Sequence, residues 1–299
     1  MAEVVWKNMD QAALDAQYTT RNQIGSAYEA WNSARRSDSE EARRVLKPVL
    51  DVAYGTGARQ RLDIFLPPEG MTSAPAAIFF HGGFWKSGDK GDLSLVAFGL
   101  RSLGAAVVLP NYSLCPAASI HDAVDSAMQA VTWVVAHAKK FAADANNIWL
   151  CGHSSGAHVA ASCFAGLSGN SAEATLAAVK ALIVTSGMYQ LEPIRRSYLN
   201  GDARLSEDDA CQLSPATAPG FLNIPVMVAV GEEESSEFIH QSEDFVGGIK
   251  PLGAMASFYR VPRTNHYSML EQWRAGSGLL TRFQSLLARY GTTRAHSAG

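Results

Sequence analysis

Two adjacent serines, Ser154 and Ser155, lie in the stretch CGHSSGAHV at residues 151–159. An apolar run, NIWLC, precedes them, and a helix-forming run, AHVAASCFAG, follows. Read as G-x-S-x-G over Gly152, His153, Ser154, Ser155 and Gly156, the pattern makes Ser154 the nucleophile at the centre of a sharp strand-to-helix turn. A Cβ at either flanking glycine would collide across that turn, and Ser154 is expected in a strained conformation that lifts its Oγ clear of the sheet. Ser155 opens the helix. Its backbone N–H, aided by the positive helix end, can stabilise an oxyanion.

A serine hydroxyl barely ionises at neutral pH, so it needs a base, and the base needs an orienting carboxylate. After a nucleophile on such a turn, the chain order is acid, then histidine. Of the eight histidines, His81 and His153 sit in glycine motifs, and His121, His137 and His158 fall in predicted helices before the last strands. His240 lies in a predicted helix and His296 near the end of the chain. That leaves His266, in VPRTNHYSML, as a loop residue after the final strand. The acid is expected from EEESSEF, which follows the run IPVMVAVG and offers Glu232, Glu233, Glu234 and Glu237. The usual place, three residues beyond Gly231, picks Glu234, with Glu233 and Glu237 as the alternatives. A second glycine loop, HGGFWKSGDKGD, follows the run AAIFF; Gly82 and Gly83 allow close backbone approach, and His81 can brace the loop. Phe84 and Trp85 are expected to narrow the acyl side of a site here, with Tyr189 supplying a wall.

These residues need a scaffold. Short apolar runs rich in β-branched residues recur at 76–80, 105–110, 147–152, 180–187, 224–231 and 256–261. They suit strands buried on both faces. Helical spacing fills segments between them, as at 119–141, where Ile120, Val124, Val131, Val135 and Ala138 share a stripe. The alternation predicts an α/β fold with a mostly parallel eight-stranded sheet and helices on both faces. Before it, PVLDVAYG and QRLDIFLP read as a hairpin. Residues 1–46 are expected to form a helical arm packed on the main domain at 47–290, with Asp10 capping one helix and a capping signal in SDSEEARRVL starting another. Residues 188–222 break the rhythm and read as a lid-like insertion, and 291–299 as a loose tail.

The formal net charge of −3 provides no basic field, which argues against nucleic acid and anionic lipid as partners. No apolar stretch reaches the roughly 20 residues of a membrane span, and no signal peptide is expected at the start. The four cysteines show no CxxC spacing and read as free thiols of a cytoplasmic protein. No metal-ligand spacing or cofactor motif occurs, so neither is expected.

With these residues in hand, the chain resembles the α/β-hydrolase superfamily, and within it the kynurenine formamidase (arylformamidase) group, close to the hormone-sensitive-lipase-like esterases. The resemblance rests on HGGFW, NYSLCP, GHSSGAH, SGMY, LSP, GEEESSEFIHQS and NHYSML, over about residues 48–290. It implies Ser154, Glu234 and His266 as a triad, with the backbone N–H groups of Gly83, Phe84 and Ser155 as the oxyanion hole. Lipase-like relatives usually carry a third glycine where Phe84 stands, and relatives often carry Asp as the acid. The expected activity is a cofactor-free serine hydrolase acting on a small-molecule amide or ester, with a small acyl group and an aromatic leaving group. A general carboxylesterase is the alternative, and a non-catalytic binding protein on a hydrolase fold is the reading from another class. Activity is expected to rise with pH through about 6–7.5. The arm either closes over the site or makes a homodimer contact.

Overall fold

The computed structural model describes residues 3–169, 173–215 and 224–297. The strands are β1 (Val49–Ala53), β2 (Arg61–Phe65), β3 (Ala74–Phe80), β4 (Ala106–Pro110), β5 (Ala143–His153), β6 (Val179–Thr185), β7 (Pro225–Gly231) and β8 (Met255–Val261). They form one eight-stranded sheet in the order β1-β2-β4-β3-β5-β6-β7-β8. β2 runs antiparallel to both β1 and β4, and every other pairing is parallel. This is the α/β-hydrolase fold. Chain progression reverses direction between β3 and β5, and in open parallel sheets the crevice beyond the strand ends at such a point is where ligands bind.

The apolar runs carry two cores because successive side chains leave a strand on opposite faces. Ala76, Ile78, Phe80, Ile148, Leu150, Leu182, Val184, Val226 and Val228 pack into one cluster. Their neighbours Ala77, Phe79, Trp149, Cys151, Ala181, Ile183, Met227 and Ala229 pack into the other.

The helices are α1 (Gln11–Tyr18), α2 (Thr20–Ile24), α3 (Ala27–Leu46), α4 (Val96–Ser102), α5 (Ile120–His137), α6 (Ser155–Gly169), α7 (Glu173–Ala178), α8 (Glu192–Arg196), α9 (Asn200–Ala203), α10 (Glu207–Gln212), α11 (Ser236–Ile249) and α12 (Gly278–Ser297). Side chains of α5, α6 and α11 cover one face and those of α4 and α12 the other. The arm spans both. Leu14 and Tyr18 of α1 join the first cluster, whereas Trp31 and Leu46 of α3 pack against the second. The segment between them therefore passes over the end of the sheet.

Asp10 does cap α1, its side chain accepting from the Ala13 amide. The expected start at SDSEEARRVL is different: α3 runs unbroken from Ala27, and the signal lies inside it. Those side chains serve tertiary contacts instead, since Ser39 donates to the Asp92 carbonyl at 2.8 Å and Asp38 pairs with Arg274 at 2.5 Å. The expected tail is helical through Ser297.

Candidate active site

Ser154 follows the last residue of β5 and precedes the first of α6. Its φ of +58° lies in the left-handed region, and its amide is fixed to the Thr185 carbonyl at 2.9 Å. A Cβ on Gly156 would stand 2.1 Å from the Phe80 carbonyl oxygen, so only glycine lets α6 start this close to β3. One at Gly82 would stand 2.9 Å from the Ser154 Cβ, which measures how tightly the loop after β3 abuts the turn.

The loops after β7 and β8 bring the other two side chains to the same strand ends. His266 Nε2 lies 3.0 Å from Ser154 Oγ, and His266 Nδ1 lies 2.7 Å from Glu234 Oε2. Glu234 Oε1 accepts from Ser186 Oγ at 2.5 Å and from the Gly231 amide at 2.8 Å. Both oxygens of this buried carboxylate are thereby satisfied. The carboxylate selects the tautomer with Nδ1–H, leaving Nε2 to accept from the serine. Among the four glutamates, Glu232 and Glu233 are exposed. Glu237 is buried and paired with Lys7 at 3.2 Å.

The His266 ring lies between Phe238 and His153, with centroids at 4.5 and 4.8 Å. Burial holds the pKa of His153 well below the usual histidine value, and neighbouring His266 adds to the effect. A neutral neighbour spares His266 like-charge repulsion when it takes up a proton.

After β3, Gly83, Phe84 and Trp85 have φ of +126°, +52° and +57°. Among the described residues the amides of Gly83 and Phe84 donate to no protein acceptor. Ser155, first residue of α6, has no intrahelical acceptor for its own amide. His81 braces the loop: its Nδ1 donates to the Gly82 carbonyl at 2.8 Å and its ring stacks on Tyr112 at 4.4 Å. Burial lowers its pKa to about 4.

Ser154 and His266 open into a cavity of about 630 Å³. Tyr18, Tyr28, Trp31, Phe84, Tyr198 and Tyr267 supply its aromatic walls. Tyr28, Trp31 and Tyr267 touch one another, with centroids 4.6 to 6.0 Å apart. Of the bordering cations, Arg35 faces Asp92 at 3.6 Å, Lys86 faces Asp202 at 2.7 Å, and Arg21 lies 4.5 Å over the Tyr28 ring. Among the described residues, no cluster of three or more His, Cys, Asp or Glu could hold a metal ion.

Two expected wall residues stand elsewhere. Trp85 is fully buried with its indole turned to His158, and Tyr189 is buried with its ring stacked on Phe245 at 4.3 Å. Neither borders the cavity. The left-handed backbone at Trp85 turns its side chain into the core, and Tyr189 fills space beside α11. The insertion differs from a lid as well. Met188, Leu191, Ile194, Leu199 and Leu213 belong to the core, and Tyr198 is its contribution to the cavity; residues 216–222 lie outside the described residues. The roof comes from the arm, through Tyr18 to Asn22, Tyr28, Trp31 and Arg35. It is pinned by Ser235 Oγ donating to the Gln17 carbonyl at 2.8 Å and by the Thr20 and Tyr267 hydroxyls at 3.0 Å. Sequence reasoning missed these walls. The available signal was three large aromatics, Tyr18, Tyr28 and Trp31, in an arm too polar to form a core of its own.

The BD-FAE family model matches residues 62–246, spanning β2 through most of α11. The chain belongs to the BD-FAE family. Kynurenine formamidase of Danio rerio is 31% identical over 288 residues, covering 93% of this chain and 96% of that one. Isoprenylcysteine alpha-carbonyl methylesterase of Arabidopsis thaliana is 34% identical over 242 residues, covering 74% of this chain and 57% of that one. The crystal structure of a candidate thioesterase from Silicibacter sp. TM1040 superposes with a TM-score of 0.78 at 30% identity, covering 90% of this chain and 97% of that one. This BD-FAE member is a hydrolase of the arylformamidase-like or carboxylesterase kind acting on small molecules. Among its described residues no helix is long and apolar enough to cross a membrane.

Proposed function

We propose that the protein is a serine hydrolase that cleaves a small acyl group from an aromatic amine or alcohol through an acyl-enzyme. The relay from Glu234 through His266 to Ser154, at 2.7 and 3.0 Å, carries this reading. Ser154 Oγ attacks the carbonyl carbon as its proton passes to His266 Nε2. The oxygen that becomes negative is held by the amides of Gly83, Phe84 and Ser155. His266 then protonates the leaving nitrogen or oxygen, whose bond to the carbonyl carbon breaks. Water gives a proton to His266 and attacks the acyl-serine; the proton returns to Oγ as the acid departs. Glu234 holds His266 in the required tautomer and stabilises the imidazolium.

The Tyr28, Trp31 and Tyr267 rings beside His266 support an aryl leaving group, because the leaving group must lie on the side of the residue that protonates it. The relative named a formamidase supports a formyl or similarly small acyl group. Four free cysteines, three of them buried, suit a reducing compartment, and we place the protein in the cytoplasm as a monomer or homodimer that binds neither nucleic acid nor membrane. The test is turnover of matched N-formyl anilides and aryl esters of increasing acyl length, with Ser154→Ala in parallel. Formyl and acetyl substrates should react fastest and the variant should be inactive. The Arabidopsis relative named a methylesterase favours a second reading, a general carboxylesterase. Equal or faster turnover of longer acyl chains would select it.

A further inference from the structure

Trp85 and His158 belong to the two motifs that build the site, HGGFW and GHSSGAH, yet neither side chain reaches the cavity. They meet each other. The Trp85 indole Nε1–H donates to His158 Nδ1 at 3.1 Å, and the rings pack edge to face with centroids at 5.0 Å. We infer that this hydrogen bond is a positioning device for the oxyanion hole: it ties the loop that carries the Gly83 and Phe84 amides to the helix that carries the Ser155 amide. The inference rests on the oxyanion-hole reading proposed above.

The loop needs such an anchor. Phe84 and Trp85 are consecutive side-chain-bearing residues at φ of +52° and +57°, a conformation that persists only when its surroundings over-determine it. The indole is fully buried, and the Trp85 carbonyl accepts from the Cys115 amide at 2.8 Å, so both ends of the residue are fixed. On the other side, His158 lies in the first turn of α6, three residues beyond Ser155. Its Nε2 stands 2.8 Å from the Leu213 carbonyl and must carry the proton there, which makes Nδ1 the acceptor that the indole requires. Burial lowers the His158 pKa to about 4, so the ring remains neutral at ordinary pH. The two sets of amides sit on separate elements, and their spacing must match one oxygen atom to a fraction of an ångström.

The experiment compares Trp85→Phe, which keeps a ring and removes the donor, with His158→Leu, which removes the acceptor. His158→Gln restores an acceptor. The readouts are kcat and KM on an aryl ester, inhibition by a trifluoromethyl ketone that mimics the tetrahedral oxyanion, and thermal unfolding. Trp85→Phe and His158→Leu should each lower kcat roughly tenfold to a hundredfold and weaken the ketone by the same factor, with KM within about twofold. The double variant should be no worse than either single one, and His158→Gln should recover most of the rate. Wild-type kcat in His158→Leu, or losses that multiply in the double variant, would overturn the inference. So would losses confined to KM or to thermal stability. Inactivity of Ser154→Ala together with a silent Trp85→Phe would sink this inference alone; activity of Ser154→Ala would sink the reading beneath it.

Discussion

Glu234 presents one carboxylate oxygen to His266 at 2.7 Å while its other oxygen is held by Ser186 and the Gly231 amide. The acid therefore cannot rotate away from the imidazole without breaking two further hydrogen bonds. An amide in its place can satisfy only part of that set and favours the wrong histidine tautomer. Glu234→Gln should lower kcat by about 10³- to 10⁴-fold with little change in KM. Steady-state kinetics on an aryl ester check this, and a loss below tenfold would point to another acid.

The arm should govern recognition rather than chemistry. Trp31 contacts Tyr267 at 4.6 Å, next to His266, but touches no reacting group of the protein. Trp31→Ala should raise KM for aryl esters about three- to tenfold, from the loss of one aromatic contact, and change kcat less than twofold. Alkyl esters with the same acyl group should be nearly unaffected. An equal effect on both series would contradict an aryl subsite.

A buried ionic cluster fastens the arm. Asp63 is fully buried and meets Arg43 of α3 at 2.9 Å and the buried Lys90 at 3.0 Å. Lys90 also reaches Asp51 at 2.7 Å. Asp63→Ala leaves two cations short of a partner and should destabilise the fold by about 3–5 kcal/mol. Urea unfolding measures it, and a change below 1 kcal/mol would show that Asp51 and solvent compensate.

Stability should fall in mild acid. Burial lowers the pKa of His81 and of His158 to about 4, and it also holds that of His153 well below the usual histidine value. Above about pH 6.5 these groups are neutral folded and unfolded, and contribute no pH dependence. Between about 6.5 and 4 the unfolded chain binds protons that the folded protein refuses, so unfolding becomes easier as the pH drops. The urea midpoint should decline steadily from about pH 6.5 to about pH 4.5. A flat profile would mean that these rings gain solvent in the folded state.

The sheet and the convergence of Ser154, Glu234 and His266 were legible in the sequence for a physical reason. A strand buried on both faces must be apolar at nearly every position, as in β6 and β7, and a sharp turn before a helix must be glycine-flanked, as at Gly156. Both constraints are local. The cavity walls are not. Whether an aromatic faces solvent, core or ligand depends on backbone conformation and on distant partners, so Trp85 and Tyr189 could not be told from Tyr28 and Trp31 by residue type. The glutamate register is an intermediate case: spacing from Gly231 favoured Glu234, while Glu237, a plausible neighbour, is engaged by Lys7 of the arm. The capping signal near Ser37 failed because α3 gains more from contacts to Asp92 and Arg274 than from a break there.

The crossing segment from Thr19 to Trp31 touches the cavity without contributing a strand or a reacting group. On the proposed reading, part of the surface that discriminates between molecules is thereby housed in a stretch of polypeptide apart from the bond-breaking residues. A lineage could exchange this leader piece, or lengthen it, and acquire a different diet while the engine beneath stays as it is.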